Sequence, residues 1–230
     1  MARLLIFDTS CGACSVAVWS GDRAIAERYE AMPRGQAERL LPMIEEALAE
    51  AGMAWGRLDA VGVTRGPGAF TGIRIGLAAA RGLALARSIP AIGISTFEAL
   101  AIRAPAGCMV AIDTKRNDLY CQLFGPGGAA ACDPGILAPD DAVALAGAEG
   151  VPMVTDTPVP AGSESGTGGD RAPDGSLAGP PRAAAFASLI ARRYEAFGKD
   201  GKAGLALPRP LYLRPPQARL PEARRNAQLK

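Results

Sequence analysis

With 230 residues, 49% of them apolar, the chain can bury a sizeable core as one large domain or two small lobes, yet arginines and glycines interrupt every apolar stretch before it could span a bilayer. The net charge of +2 sets no overall electrostatic theme, but its distribution is uneven: residues 105–208 hold 8 basic and 12 acidic side chains, residues 209–230 hold 6 basic and 1 acidic. Histidine is absent, which excludes Ser-His-Asp and Cys-His mechanisms and removes the commonest metal ligand, so any catalysis would rest on carboxylates, lysine or hydroxyls.

The first residues enter a strand directly, without a basic segment and long apolar core, so a cytoplasmic location is expected. Apolar runs at residues 4–8, 15–20 and 24–29 predict a three-strand meander. Residues 36–51 place Ala37, Leu40, Leu41, Ile44, Ala47 and Leu48 at helical spacing with glutamates opposite, a pattern that predicts an amphipathic helix bent at Pro42. A strand at 58–64, a glycine-rich turn, a helix at 73–87, a strand at 91–94 and a helix capped by Ser95 or Thr96 complete a β-β-β-α-β-α-β-α lobe over residues 1–104.

A second lobe is expected over residues 105–207. It opens with a hairpin, strands 108–112 and 119–124 around the polar turn at Asp113, that echoes the first; a helix at 182–197 closes it. Residues 161–181 have little to bury and predict a flexible loop. The proline-rich, basic end at 208–230 reads as extended, either touching RNA phosphates or solvated.

Asp8-Thr9-Ser10 ends the first strand with a carboxylate, two hydroxyls and turn amides, where a phosphate or its metal could approach; ordinary turn chemistry uses the same residue types. Gly66-Pro67-Gly68-Ala69-Phe70-Thr71-Gly72, between strand and helix, resembles a phosphate cradle, although its spacing is neither GxGxxG nor a P-loop. Cys11 and Cys14 have CxxC spacing but run into a strand, which favours packed thiols over a redox pair. In the helix that follows the glycine-rich turn, the only polar side chains up to Arg87 are arginines, Thr71 aside. Gly72, Gly76 and Ala80 recur every four positions, a spacing that would let a second helix approach closely, while Arg74 and Arg81 share a face. One side of this helix can pack on its own sheet; the other is expected to need a second body.

These segments together, Leu5-Ile6-Phe7-Asp8-Thr9-Ser10, Ala37-Glu38-Arg39-Leu40-Leu41-Pro42 and Arg65 to Leu77, with Ile94-Ser95-Thr96-Phe97-Glu98 and Leu211-Tyr212-Leu213-Arg214 further on, resemble the TsaB (YeaZ) family. The resemblance implies an α/β, actin/Hsp70-like (ASKHA) two-lobe fold with duplicated, hairpin-led mixed sheets flanked by helices. It implies a cytoplasmic, non-catalytic scaffold subunit, without cofactor or metal, in synthesis of tRNA N6-threonylcarbamoyladenosine. Its partners would be TsaD in a heterodimer, TsaE in a larger complex, tRNA indirectly, and a second copy when alone. The partner interface would comprise Leu40, Leu41, Ile44, Phe70, Thr71, Gly72, Arg74, Ile75, Gly76, Ala79 and Ala80, and a degenerate nucleotide site would keep Asp8, Thr9, Ser10 and Asp113. The competing expectation is an ATP-dependent phosphotransferase of the same superfamily in which Asp8 and Asp113 organise Mg-ATP.

Overall fold

The structure, a computed structural model, describes residues 1–157, 177–199 and 207–214. Five strands, β1 (Arg3–Asp8), β2 (Ala13–Ser20), β3 (Arg23–Ala31), β4 (Ala60–Thr64) and β5 (Ala91–Ile94), form one sheet in the order β3-β2-β1-β4-β5. The first three are antiparallel and β1, β4 and β5 run parallel. Four more, β6 (Cys108–Asp113), β7 (Leu119–Phe124), β8 (Gly135–Leu137) and β9 (Met153–Thr155), form a second sheet in the order β8-β7-β6-β9, with β6 and β9 parallel. The second order repeats β3-β2-β1-β4 strand for strand. Helix α4 (Pro139–Ala148) stands between its third and fourth strands where α1 (Gln36–Glu50) stands in the first. This duplicated arrangement is the two-lobed actin/Hsp70-type fold expected from the sequence.

β1 is buried on both faces, which is why Leu4 to Phe7 reads as an unbroken apolar run. Leu5 and Phe7 point to one side, where α1 and α2 (Phe70–Arg87) supply Leu40, Met43, Ile44, Ile73 and Leu77. Leu4 and Ile6 point to the other, against Phe186, Ala187 and Ile190 of α5 (Ala183–Lys199). A third cluster, with Cys11, Phe97, Leu100, Val110, Ile112 and Phe124, joins the lobes through α3 (Thr96–Ala101), whose start is fixed by a Ser95–Glu98 capping box.

Three expectations need correction. The helix expected to close the second lobe, α5, covers the first sheet instead, and Ala183 N donates to Ser15 Oγ of β2 at 2.8 Å. It packs on the side of β1, β2, β4 and β5 away from α1 and α2, against Leu4, Ile6, Ala17, Trp19, Ala60 and Ile92. Between the hairpin and the expected loop, where the sequence pattern predicts no element, the chain forms β8, α4 and β9, which are too short and too rich in alanine and glycine to show a clear period. Of the loop expected at 161–181, residues up to 176 lie outside the described residues; the remainder is tied down, Ala178 bridging β9 at Thr155 while Arg103 donates to the carbonyls of Gly179 and Pro180 at 2.7 and 2.5 Å.

Because Ile190 is fully buried beneath β4, where it fills the space that a side chain at Gly62 would take, Ile190→Ala should lower stability by about 3 kcal/mol in urea denaturation, with the fold retained.

Candidate functional site

In the turn after β1, Asp8 to Ser10 are held by contacts within their own lobe, while Cys11 packs against Val110, Ile112 and Val154 of the second. Asp8, Thr9 and Ser10 are 0%, 1% and 0% exposed. The Asp8 Oδ1 atom accepts from Ser10 N (3.1 Å), Ser10 Oγ (2.5 Å) and Thr64 Oγ1, while Thr96 Oγ1 donates to Ser10 Oγ at 3.1 Å. The glycine-rich segment sits directly on this turn: Ala69 N donates to the Ser10 carbonyl at 2.7 Å and Thr9 Oγ1 donates to the Gly72 carbonyl at 2.7 Å. A Cβ at Gly68 would lie 2.2 Å from the Ser10 carbonyl oxygen, and one at Gly72 2.0 Å from that of Thr9. These glycines are thus required by backbone contact within the lobe, and the residues that resemble a phosphate cradle close over the turn where a phosphate would have to arrive.

Burial raises the Asp8 carboxyl above its ordinary range, against the opposing pull of its hydrogen bonds to Ser10 and Thr64 and of the Arg103 charge; its Oδ2 is buried without a hydrogen-bond partner. Asp113 lies at the matching bend of the second lobe. Burial alone would raise its carboxyl, but Lys115 holds it below the ordinary range by donating from its backbone N at 2.6 Å and from Nζ at 2.8 Å. Asp113 N donates to Asp156, a buried carboxylate pushed upward by desolvation. Among the described residues no three Asp, Glu or Cys side chains are arranged to hold a metal ion. The thiols of Cys11 and Cys14 are buried, and burial pushes Cys14 up to about 12, so both are poor nucleophiles.

The structure divides the residues expected at a partner interface. Leu40 and Ile44 belong to the core beneath α1, and Gly72, Gly76 and Ala80 face inward. A Cβ at Gly76 would lie 2.8 Å from Thr9 Oγ1 and 3.3 Å from Val63. The four-residue stripe of small side chains therefore lets α2 settle on its own sheet, and does not open a path for another helix. Leu41, Phe70, Thr71 and Arg74 point outward, with Ile75 and Ala79 half-buried beside them. Leu85, which the sequence reading passed over, is the most exposed large apolar residue of α2 at 60%.

A second feature was also missed. Residues 207–214 run as a strap over α2 and on to the second lobe. Arg81 donates to the Pro208 carbonyl at 3.2 and 2.6 Å, Leu211 N to the Arg65 carbonyl at 2.7 Å, and Arg214 pairs with Asp118 in the β6–β7 turn. Tyr212 stacks on Phe70 with ring centroids 5.3 Å apart, and its hydroxyl takes a 3.1 Å hydrogen bond from Arg74 Nε; the Arg74 guanidinium lies 3.6 Å from the Phe70 centroid. The run of Leu211, Tyr212 and Leu213 in an otherwise basic, proline-rich tail was the available signal.

Comparison with known proteins places this geometry. The family model for "TsaD: tRNA N6-adenosine threonylcarbamoyltransferase" matches residues 30–156, more than half of the chain. Two crystal structures from Pseudomonas aeruginosa, one of YeaZ and one of an uncharacterized protein with similarity to peptidase YeaZ, superpose with TM-scores of 0.67 and 0.69 at 30% and 32% identity, covering 93% of this chain and 100% of theirs. The chain belongs to the TsaB/YeaZ family. Curated relatives include the tRNA threonylcarbamoyladenosine biosynthesis protein TsaB of Escherichia coli (strain K12), 38% identical over 123 residues that make up 51% of this chain and 53% of that protein. TsaB of Haemophilus influenzae (strain ATCC 51907 / DSM 11121 / KW20 / Rd) is 39% identical over 123 residues, 51% of each chain. The chain spans about half the length of these curated relatives.

Two outcomes follow from the closed turn. Gly72→Ala should destabilise the protein by about 3 kcal/mol or more, because the added methyl meets a backbone carbonyl that cannot move independently; chemical denaturation reads the loss. The raised Asp8 carboxyl contributes stability that is fully present below its unfolded pKa of about 4 and is lost as pH rises through the higher folded value. The stability of the wild type relative to Asp8→Asn should therefore fall as pH rises from about 4 through the raised folded value, a difference measured by paired urea titrations across pH.

Proposed function

We propose that this chain is a non-catalytic subunit that docks and supports a TsaD-type threonylcarbamoyltransferase in the synthesis of N6-threonylcarbamoyladenosine in tRNA. The observation that carries the reading is the outward display of large apolar side chains on α1 and α2, with Leu41 51%, Phe70 42% and Leu85 60% exposed, beside a turn in which Asp8, Thr9 and Ser10 are buried. The names of the curated relatives support the pathway, since they describe tRNA threonylcarbamoyladenosine biosynthesis proteins. In this reading the chain has no cofactor of its own and works in the cytoplasm. A TsaE-type protein joins a larger assembly, tRNA is met through the partner, and the same face pairs two copies when the partner is absent. No helix among the described residues is long and apolar enough to cross a membrane.

The alternative, a phosphotransferase that uses Asp8 and Asp113 with Mg-ATP, is disfavoured by the complete burial of Asp8 and by the engagement of Asp113 with Lys115. Calorimetry with the TsaD-type protein of the same organism separates the two. The wild type should bind it, and Leu41→Asp with Leu85→Asp should weaken binding by about tenfold or more while leaving the melting temperature within a few degrees, because both positions already face solvent. Failure of the wild type to bind, or turnover of Mg-ATP by the isolated chain, would sink the reading.

A further inference from the structure

We propose that the groove between α2 and the C-terminal strap is a docking site for an acidic segment of the protein partner, one that sets two carboxylates around an apolar side chain; this rests on the docking reading above. The groove, about 350 Å³, is lined by Arg74, Leu77, Ala78, Arg81, Pro210 and Tyr212. Its floor is apolar and its ends are cationic. Arg74 and Arg81 lie two helical turns apart, roughly 10 Å along the axis. Neither has a carboxylate partner among the described residues, whereas Arg3, Arg28, Arg39, Arg193 and Arg214 are each paired with an acid.

Both guanidiniums are already held in place. Arg74 lies over the Phe70 ring and donates one N–H to the Tyr212 hydroxyl; Arg81 donates two to the Pro208 carbonyl. Each guanidinium has five N–H donors in a planar fork, so donors remain on both for a carboxylate, and the side-chain entropy of ordering them is lost on folding and not on binding. The strap is therefore part of the binding surface: without Pro208, Pro210 and Tyr212 the groove has one wall, and the two cations lose their supports.

Phosphates of RNA would also suit guanidinium forks, but the setting favours protein. Two cations around an apolar floor offer little to a polyanion, whose binding rests on many phosphate contacts. The Phe70 and Tyr212 faces are stacked on each other, which leaves fewer open platforms for bases.

The test titrates the same organism's TsaD-type protein into the wild type, Arg74→Gln and Arg81→Gln at low and moderate salt. Arg74→Gln should weaken binding by about tenfold or more and flatten its salt dependence, while the loss of its exposed contacts with Tyr212 and Phe70 moves the melting temperature by no more than a few degrees. Arg81→Gln should weaken binding similarly. Arg81→Gln leaves the part-buried Pro208 carbonyl without its donor, whereas Arg74→Gln frees only an exposed tyrosine hydroxyl that water can satisfy, so Arg74→Gln is the deciding variant. If the wild type binds and both variants bind as tightly at both salts, the groove assignment is overturned while the proposed function stands. If unmodified tRNA competes for the groove and its competition is lost in Arg74→Gln, the surface is an RNA site and the assignment is equally overturned. Absence of binding by the wild type would overturn the proposed function itself.

Discussion

The contact on which the rest of the structure depends is between two glycines and two carbonyls. Gly68 and Gly72 rest against the backbone oxygens of Ser10 and Thr9 at distances that no Cβ could tolerate. This approach joins the end of β1 to the start of α2, seals Asp8 with hydroxyls from Ser10 and Thr64, and fixes which side of α2 faces the sheet. Inward go Gly72, Ile73, Gly76, Leu77, Ala80 and Ala84; outward go Phe70, Arg74, Ala78 and Leu85. The same packing that closes the turn after β1 therefore presents the outer face of the helix. Closure and display are two results of one geometry.

The two lobes are held by elements that leave one and finish on the other. Helix α5 follows the second sheet yet buries Phe186, Ala187 and Ile190 on the first, so the first sheet has no bare face. The strap then crosses in the opposite sense. Leu211 is bonded to Arg65, Tyr212 packs on α2, Leu213 enters the cluster between the lobes and Arg214 reaches Asp118. Inter-lobe motion of the kind that opens a nucleotide cleft would have to break these ties together. Such an arrangement suits a body whose task is to present a surface.

A buried carboxylate and an exposed apolar face carry opposite messages about chemistry. Asp8 ends β1 with a carboxylate whose surroundings favour the neutral acid and leave no approach for an anion. Phe70, Arg74 and Tyr212, by contrast, form an ordered aromatic and cationic cluster at the surface, where ordering side chains before a partner arrives reduces the entropy lost on binding. The proposed docking role draws on both.

Local pattern determined most of the first lobe. Period-two and helical spacing set its strands and helices in the right order, Ser95 or Thr96 marked the start of α3, and the apolar hairpin at Cys108 to Phe124 announced the duplication, because each of these signals lies within fewer than twenty residues. The absence of histidine bounded the chemistry. Only the tertiary structure decided which side of α2 looks outward: Gly72, Gly76 and Ala80 mark a close approach, and sequence cannot say whether the approaching body is another chain or the Thr9 turn sixty-odd residues earlier. The same holds for α5, whose apolar stripe fits either sheet, and for Tyr212, whose ring finds Phe70 only after the whole chain has folded between them. Long-range contacts choose among partners that local periodicity leaves equivalent, and in this protein those choices separate the core from the surface offered to others.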